Sequence, residues 1–425
     1  MSKTSSELIK ENFAFNYVMF ILDSFGFGAA FALMIPLSYT PDVAFEISNS
    51  IYAPPLIIIL FYTLNIFGQI KSSTGRKKEQ DSKYEVIKWG IVERLGIVLI
   101  FISLKYFLES ELALLMFLIT YAVFVFSSGA ILPAYFDLVS RVLYKYRSIF
   151  FAINLTTGSA AGYFVSKYVD TKIQINGLIS GFQSGILVVI FITSFSLIPL
   201  LLIREPNSTK PKKKKFDYSL LILKIQEWKN LYIKNNQIKA ISRANFVSVL
   251  PESATPFFSI WLITNYNIES SKIGIWVTLL LLSQGIGSFF VPIVATKLGF
   301  KYTYIMGLIF HFLASVFFIF SPVNLQNFIF IFAGLGAGAL YTSQSNISVE
   351  IGEIGEAGNT NSMLTMFKLP GLLVAPFLFA FFTSKINVNY LLLAPLLSSA
   401  TGILIMFFQM KDKIQPQVRF WLKDA

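Results

Sequence analysis

The sequence predicts an all-α membrane protein with twelve transmembrane helices in two pseudo-symmetric six-helix bundles. Three observations support this fold class: an apolar composition, twelve separate apolar stretches, and a short residue pattern that recurs about half a chain apart. Mean hydropathy is +0.64, and only 14% of the residues are charged, against about 25% in an average soluble domain. A soluble globular protein is therefore excluded, and the lipid bilayer is the expected solvent.

Each apolar stretch is long enough to cross a membrane as a helix, which takes about 20 residues. The stretches are apolar on all sides, as at Leu56–Phe61 and Leu279–Leu282, so helices are favoured over the alternating strands of a membrane barrel. Six stretches precede a charged gap and six follow it. The predicted spans are 14–38, 51–70, 86–106, 112–136, 148–168, 178–203, 244–266, 272–296, 302–321, 325–346, 361–383 and 388–410.

The charged gap predicts where the two bundles are joined. Residues 1–203 form the predicted N-terminal bundle, 204–240 a basic cytoplasmic linker, and 241–425 the C-terminal bundle with a short cytoplasmic tail. Within the linker, Lys212–Lys215 precede apolar residues at helical spacing, which predicts an amphipathic helix on the membrane surface. Such a helix tethers the two halves, and in a second interpretation it also binds anionic lipid headgroups.

The net charge of +12 is explained by membrane topology. With the N-terminus inside, 27 of the 35 Lys and Arg residues lie on predicted cytoplasmic loops and tails and five lie outside, as the positive-inside rule requires. Both termini are therefore expected in the cytoplasm of a multi-pass cell-membrane protein. The basic balance then gives no reason to expect a nucleic-acid partner.

The recurring pattern places a carboxylate at the same depth in each half. The segment Asn16–Ser24 aligns without a gap with Asn245–Ser253, which brings Asp23 into register with Glu252. Each acid lies about nine residues, or roughly 13 Å, into its predicted span, too deep for a short side chain to reach the membrane surface. An intramembrane carboxylate is costly and marks a functional site by default. Purely structural pairing is the alternative.

The loop after the second span carries residues that resemble a known family. Segment Gly68–Lys78 is similar to the loop motif of the major facilitator superfamily: a glycine, three residues, an acid, a basic residue, any residue, a glycine and further basic residues. Ser72 stands in place of the family's acid and Ser73 in place of its first basic residue. A weaker copy, Pro292–Lys301, follows the second span of the other half. The matching residues, which we expect to turn and gate these loops, are Gly68, Gly75, Arg76, Lys77, Lys297 and Gly299.

The resemblance implies a central cavity lined mostly by spans one, four, seven and ten and also by two, five, eight and eleven. Polar residues in those spans are candidates for substrate binding or ion coupling. Lys368 has three interpretations: it extends to the membrane surface, it pairs with Asp23 or Glu252, or it attracts an anion. The candidates are Asp23, Glu252, Lys368, Asn16, Asn245, Gln284, Tyr341, Gln344 and Asn346.

Other polar residues are expected in structural roles. Glu93 and Arg94 are adjacent near the start of the third span, so their side chains are not expected to face each other on a helix. Arg94 is expected at the rim of the membrane or beside Asp137 or another acid on that side. His311 is the single histidine, so it cannot form a metal site alone and is expected to pack inside the ninth span.

These features favour secondary active transport of a small solute across the cytoplasmic membrane by alternating access. Asp23 and Glu252 are the expected sites of proton or cation coupling. The chain lacks a G-x-x-x-x-G-K-[ST] nucleotide loop, so an ion or solute gradient is the expected energy source. No enzyme activity, metal or cofactor is expected. A membrane sensor or non-transporting scaffold with the same fold is the alternative, and a membrane enzyme is a weaker third one.

Overall fold

The structure, a computed structural model, describes residues 5–36, 38–50, 52–74, 82–206, 218–266, 268, 272–320, 325–354, 356–383, 385–411 and 414–417. Over these residues it is helical, with no strand. The described helices before the central gap are α1 Ser5–Met34, α2 Thr40–Ser48, α3 Ala53–Ser73, α4 Ser82–Tyr106, α5 Ala113–Val142, α6 Arg147–Asn176 and α7 Leu178–Leu202. Those after it are α8 Tyr218–Lys234, α9 Asn236–Ala254, α10 Phe257–Tyr266, α11 Ile273–Leu298, α12 Phe300–Phe320, α13 Asn327–Ile351, α14 Ala357–Met366, α15 Leu369–Thr383, α16 Val388–Leu391 and α17 Leu393–Gln409.

These helices build the twelve predicted spans. Eleven helical units among the described residues are long and apolar enough to cross a membrane. The remaining span is α4, whose 25 residues include several charges and which packs along α5 and α7 inside the N-terminal half. The prediction of an all-α membrane protein is confirmed. We call the face that holds the start of α1 and the end of α17 the terminal face, and the opposite face, with α2 and α16, the loop face.

Helix packing repeats between the two halves. The contact of α3 with α5 corresponds to that of α11 with α13, α4 with α5 to α12 with α13, and α1 with α7 to α9 with α17. Contacts between the halves follow the same symmetry, because α6 packs on α11 as α3 packs on α15. This pattern is the one expected of two bundles related by an axis along the membrane normal.

Two spans of the C-terminal half are interrupted where prolines stand. The span formed by α9 and α10 breaks just before Phe257, next to Pro256, and the span formed by α14 and α15 breaks just before Leu369, next to Pro370. Proline has no amide hydrogen to donate within a helix. Lys368 lies inside the second break. Discontinuous helices are tolerated in a membrane where they line a cavity or are buried in protein.

The motif glycines lie at helix contacts and ends. Gly68 packs against the backbone of Phe126 in α5, where an added Cβ would overlap the Phe126 carbonyl. Gly299 ends α11 with a positive φ of 87°, a conformation that favours glycine, and Lys297 lies in the last turn of the same helix. Of the other predicted loop residues, Gly75, Arg76 and Lys77 lie outside the described residues, as do Lys212–Lys215 of the linker.

Helix α8 lies in the predicted linker and docks on the C-terminal half. Trp228 is 3% exposed, and its indole nitrogen donates to Asn359 Oδ1 at 2.6 Å. The ring of Tyr232 stacks on that of Phe367 with centroids 5.0 Å apart. The apolar side chains of α8 therefore lie on two sides of the helix. Trp228 and Tyr232 contact the C-terminal half, and Ile222 is exposed on the other side.

Candidate functional site

A cavity of ≈ 290 Å³ lies between the two halves. Helices of both halves line it, and most of its lining is apolar or aromatic with a few charged and amide side chains. This composition is typical of small-molecule sites. Five of the predicted candidate residues contribute to the lining: Asp23, Glu252, Lys368, Tyr341 and Gln344.

On the C-terminal side the cavity holds a buried ion pair. Lys368 Nζ lies 2.7 Å from Glu252 Oε1, and both side chains are 6% exposed. Ser248 Oγ donates to the same carboxylate oxygen at 3.0 Å. Because Lys368 lies in the break before α15 and Glu252 lies three residues from the end of α9, the pair joins two interrupted spans. Of the three interpretations of Lys368, pairing with Glu252 is the one that the structure contains.

On the N-terminal side Arg94 lies at the centre of a second charged cluster. Its Nη2 is 3.7 Å from Asp23 Oδ1 and donates to Ser196 Oγ at 2.8 Å, while its Nε donates to the Thr193 carbonyl at 2.6 Å. Of the expected places for Arg94, the structure shows neither the membrane rim nor Asp137; Arg94 lies beside two other acids, Asp23 and Glu93. Arg94 lines the cavity instead, because α4 packs on α5 and α7 with Glu93 and Arg94 on the side that faces the cavity, while apolar residues such as Leu95 are exposed on another side of the helix.

Glu93 belongs to the same cluster. Arg94 Nη1 lies 3.9 Å from Glu93 Oε2, so the expectation that these neighbouring side chains cannot face each other is wrong: the long arginine side chain folds back. Glu93 is 6% exposed and lines the cavity. The signal in the sequence was the charge of the third span, which is too high for a helix surrounded by lipid.

The fold matches those of known transporters. The crystal structure of the transporter FucP in the outward conformation covers 94% of this chain and 99% of its own, at 14% identity and a TM-score of 0.62. An alanine variant of the E. coli fucose:proton symporter FucP covers 95% and 100%, at 13% identity and a TM-score of 0.62. A bacterial homologue of the iron transporter ferroportin in the outward-facing state covers 93% and 98%, at 13% identity and a TM-score of 0.65.

Sequence comparison finds a family match in the C-terminal half. Residues 241–421 match the model of the Major Facilitator Superfamily. This half of the chain is therefore similar to that superfamily, in agreement with the resemblance of the loop motif. Together with the many helices long and apolar enough to cross a membrane, the match describes a multi-pass membrane protein. A search of curated proteins finds no match.

Four predicted candidates lie outside the cavity lining, in contacts between or within helices. Asn16 bonds the backbone of Arg204, accepting from its amide at 2.8 Å and donating to its carbonyl at 2.9 Å. Asn245 donates to the Leu364 carbonyl at 3.1 Å. The other two are Gln284, buried where α11 packs on α13, and Asn346, which donates to the Thr342 carbonyl at 2.8 Å.

The two halves also meet near the terminal face. The hydroxyls of Ser73 and Ser362 lie 2.9 Å apart, and the amide of Gly358 donates to Asp137 Oδ1 at 2.8 Å. Gly358 is the second residue of α14, so the Asp137 carboxylate of one half stabilises the positive N-terminus of a helix in the other. Ser72 stands where the loop motif of the superfamily has an acid. Asp137 provides a carboxylate at this contact between the halves.

Apart from Tyr341, sequence reasoning missed the aromatic part of the lining. Tyr62 and Tyr135 contribute hydroxyls, and Phe27, Phe31 and Phe61 contribute ring faces. Aromatic residues are frequent throughout this chain, at 16% of all positions. Those that face the cavity therefore carry no distinguishing pattern in the sequence.

Proposed function

We propose that this protein is a secondary active transporter that moves a small solute across the cell membrane by alternating access. The observation that carries the proposal is the cavity between the halves, with a buried charged cluster on each side. A cavity at the interface of two related bundles can open to either face when one bundle rocks against the other. A non-transporting scaffold of the same fold has no need of buried charges around such a cavity.

Asp23 and Glu252 are the proposed coupling sites. They stand at matched positions of the two halves, and each lies beside a cation, Arg94 for Asp23 at 3.7 Å and Lys368 for Glu252 at 2.7 Å. Protonation of either carboxylate removes the charge that holds its partner. Binding of a proton would thus favour a different arrangement of the two halves, which is how a gradient is converted into movement.

The orientation in the membrane follows from the charge distribution. We place the terminal face, with both termini, in the cytoplasm, because the predicted loops on that side hold most of the Lys and Arg residues. On this face, helix α8 carries exposed apolar side chains, Ile222 and Leu223, beside Lys224 and Lys229. That combination fits a helix lying against anionic lipid headgroups.

Transport by purified protein in proteoliposomes tests the proposal. With a panel of labelled solutes and an imposed pH gradient, the wild-type chain is expected to accumulate at least one solute. The double variant Asp23→Asn/Glu252→Gln is expected to lose gradient-driven accumulation while keeping solute exchange, because a neutral amide imitates a protonated acid. Glu227→Gln, which changes an acid of α8 outside the cavity, is the matched control and is expected to transport normally.

Two results would contradict the proposal. Accumulation against a gradient by the double amide variant would show that the two acids are structural. Absence of uptake and of exchange for every solute of the panel, by wild-type protein with native helical content, would support the non-transporting alternative.

A further inference from the structure

The charged side chains that line the central cavity include more acids than cations. Among the described residues that line it, three are acids, Asp23, Glu93 and Glu252, and two are cations, Arg94 and Lys368. Glu252 is matched by Lys368 at 2.7 Å. Asp23 and Glu93 therefore share the single guanidinium of Arg94.

Of the two acids beside Arg94, Glu93 has the longer contact with the guanidinium. The three hydrogen bonds that the guanidinium donates among the described residues go to other groups: the carbonyls of Thr193 and Gly90 and the hydroxyl of Ser196. Glu93 Oε2 is 3.9 Å from the guanidinium, beyond hydrogen-bond distance. Its Oε1 is buried and accepts no hydrogen bond of normal geometry among the described residues; the Ser128 hydroxyl lies close to the same carboxylate. Buried carboxylate oxygens are normally bonded, so this one lacks a donor that a ligand can bring.

The rest of the lining indicates what else the ligand carries. Aromatic side chains from five helices, among them Phe27, Phe31 and Tyr62, border the same cavity. Their faces accept an apolar body, and they also attract a cation placed over them. The volume of ≈ 290 Å³ admits a small molecule but not a peptide of several residues.

We propose that the cavity binds a small organic monocation whose ammonium group pairs with Glu93 and whose apolar body lies against the aromatic lining. The inference names the substrate class and so rests on the proposed transport function. An anionic solute would add to an existing excess of carboxylate, and a neutral one would leave the Glu93 oxygen without a charged partner.

Three probes with one carbon frame separate charge from shape: phenethylamine, 2-phenylethanol and phenylacetate, which are cationic, neutral and anionic at neutral pH. Binding to the full chain in detergent is measured by thermal shift and by calorimetry. Phenethylamine is expected to bind wild-type protein at least about tenfold more tightly than 2-phenylethanol, the size of effect given by a buried charge pair. Phenylacetate is expected to bind more weakly still.

Glu93→Gln is expected to lose the preference for the amine while keeping the affinity for 2-phenylethanol. Glu85→Gln is the matched control, since Glu85 lies on the same helix outside the cavity lining, and it is expected to keep the wild-type preference. Equal or tighter binding of the neutral or anionic probe to wild-type protein would overturn the inference, as would an amine preference that survives Glu93→Gln.

The wild-type comparison stands even if the glutamine variant does not fold. Failure of this inference is also distinct from failure of the proposed function. Gradient-driven uptake of an anion would overturn the cation preference and leave transport intact. Selective amine binding without any transport would leave the cation preference intact and overturn the proposed transport function.

Discussion

The pair formed by Lys368 and Glu252 joins two interrupted spans inside the membrane. Removing one partner of the pair is expected to lower the stability of the protein. Lys368→Ala leaves Glu252 as a buried carboxylate without its cation, which destabilises a protein by about 3–5 kcal/mol. We expect this variant to be expressed, to melt at a lower temperature than the wild-type protein, and to lose transport. Uptake and thermal melting in detergent are the two measurements.

A double variant separates the loss of stability from the loss of transport. Lys368→Ala/Glu252→Gln removes the buried charge, so its melting temperature is expected to recover towards the wild-type value while transport stays absent. Lys368→Arg is expected to keep part of the activity because it keeps the charge. Full transport by Lys368→Ala would place the pair outside the mechanism.

Asp42, in α2 on the loop face, gives a pH prediction. It is 8% exposed, and burial raises the pKa of its carboxyl to about 7, well above the usual value of about 3.9. Between these two values the native state binds more protons than the unfolded state, so stability falls as pH rises through this window. Asp42→Asn removes the ionisation. Its melting temperature relative to wild type is therefore expected to be higher at pH 8 than at pH 5.

The control for this prediction is Glu46→Gln, a change at an exposed acid of the same helix. It is expected to give the same difference from wild type at both pH values. An Asp42→Asn variant with no pH-dependent difference would show that this carboxyl is not neutralised by burial.

At the residue scale the sequence identified one of the two charged clusters. Asp23 and Glu252 stood out because a carboxylate deep in an apolar stretch is costly, and Lys368 was a candidate partner for either acid. The partner of Asp23 did not stand out. Arg94 lies near the start of a different span, and which way that helix is turned depends on its packing against α5 and α7, which the spacing of its own residues does not encode.

At the scale of helices, the contact between α5 and α14 is one of the contacts that join the two halves at the terminal face. Asp137 accepts the Gly358 amide at 2.8 Å, and loss of such a cap costs about 0.5–2 kcal/mol. Asp137→Ala is therefore expected to shift the protein towards states that are open at this face. The measurement is the reaction rate of a thiol reagent with Ser362→Cys, a buried position in a chain that has no native cysteine.

We expect the reaction rate to rise severalfold in Asp137→Ala. The matched control is Thr120→Ala, also in α5, whose hydroxyl bonds only backward within that helix. An unchanged rate in Asp137→Ala would show that this contact does not hold the face closed.

The helix boundaries were partly predictable. Apolar length located the spans, but several helices continue past the apolar region, as α1 does by starting at Ser5 and α6 by ending at Asn176. Polar ends of a helix carry no apolar signal, so their extent was not visible. The breaks beside Pro256 and Pro370 were not predicted either, because a proline inside a membrane span is compatible with both a kink and an interruption.

At the scale of the whole molecule, the charge distribution fixes a testable orientation. Single cysteines at Ser208 and Gln415 are expected to react with an impermeant thiol reagent only from the cytoplasmic side, and one at Asn267 only from outside. Intact cells and inverted membrane vesicles give the two sides. Labelling of Ser208 and Asn267 from the same side would contradict the twelve-span topology. Ser208 and Asn267 lie outside the described residues, so this experiment tests the topology independently of the structure.

The two-bundle architecture was predictable because a repeated pattern, a charged gap and a loop motif all agreed. What could not be predicted is how the halves face each other. The cavity depends on contacts between residues far apart in the chain, such as Ser73 with Ser362, and one sequence contains no signal for such pairs.

The distance between the halves at both membrane faces tests alternating access most directly. Tyr84 and Tyr106 lie at the two ends of α4, and Lys411 and Tyr390 lie at the two ends of the α16–α17 span; all four are exposed. Double electron–electron resonance between spin labels at Tyr84→Cys and Lys411→Cys reports the terminal face, and between Tyr106→Cys and Tyr390→Cys the loop face. The account predicts two distances at each face, with the terminal-face distance lengthening as the loop-face distance shortens when pH or solute is changed. One unchanging distance at both faces would contradict it.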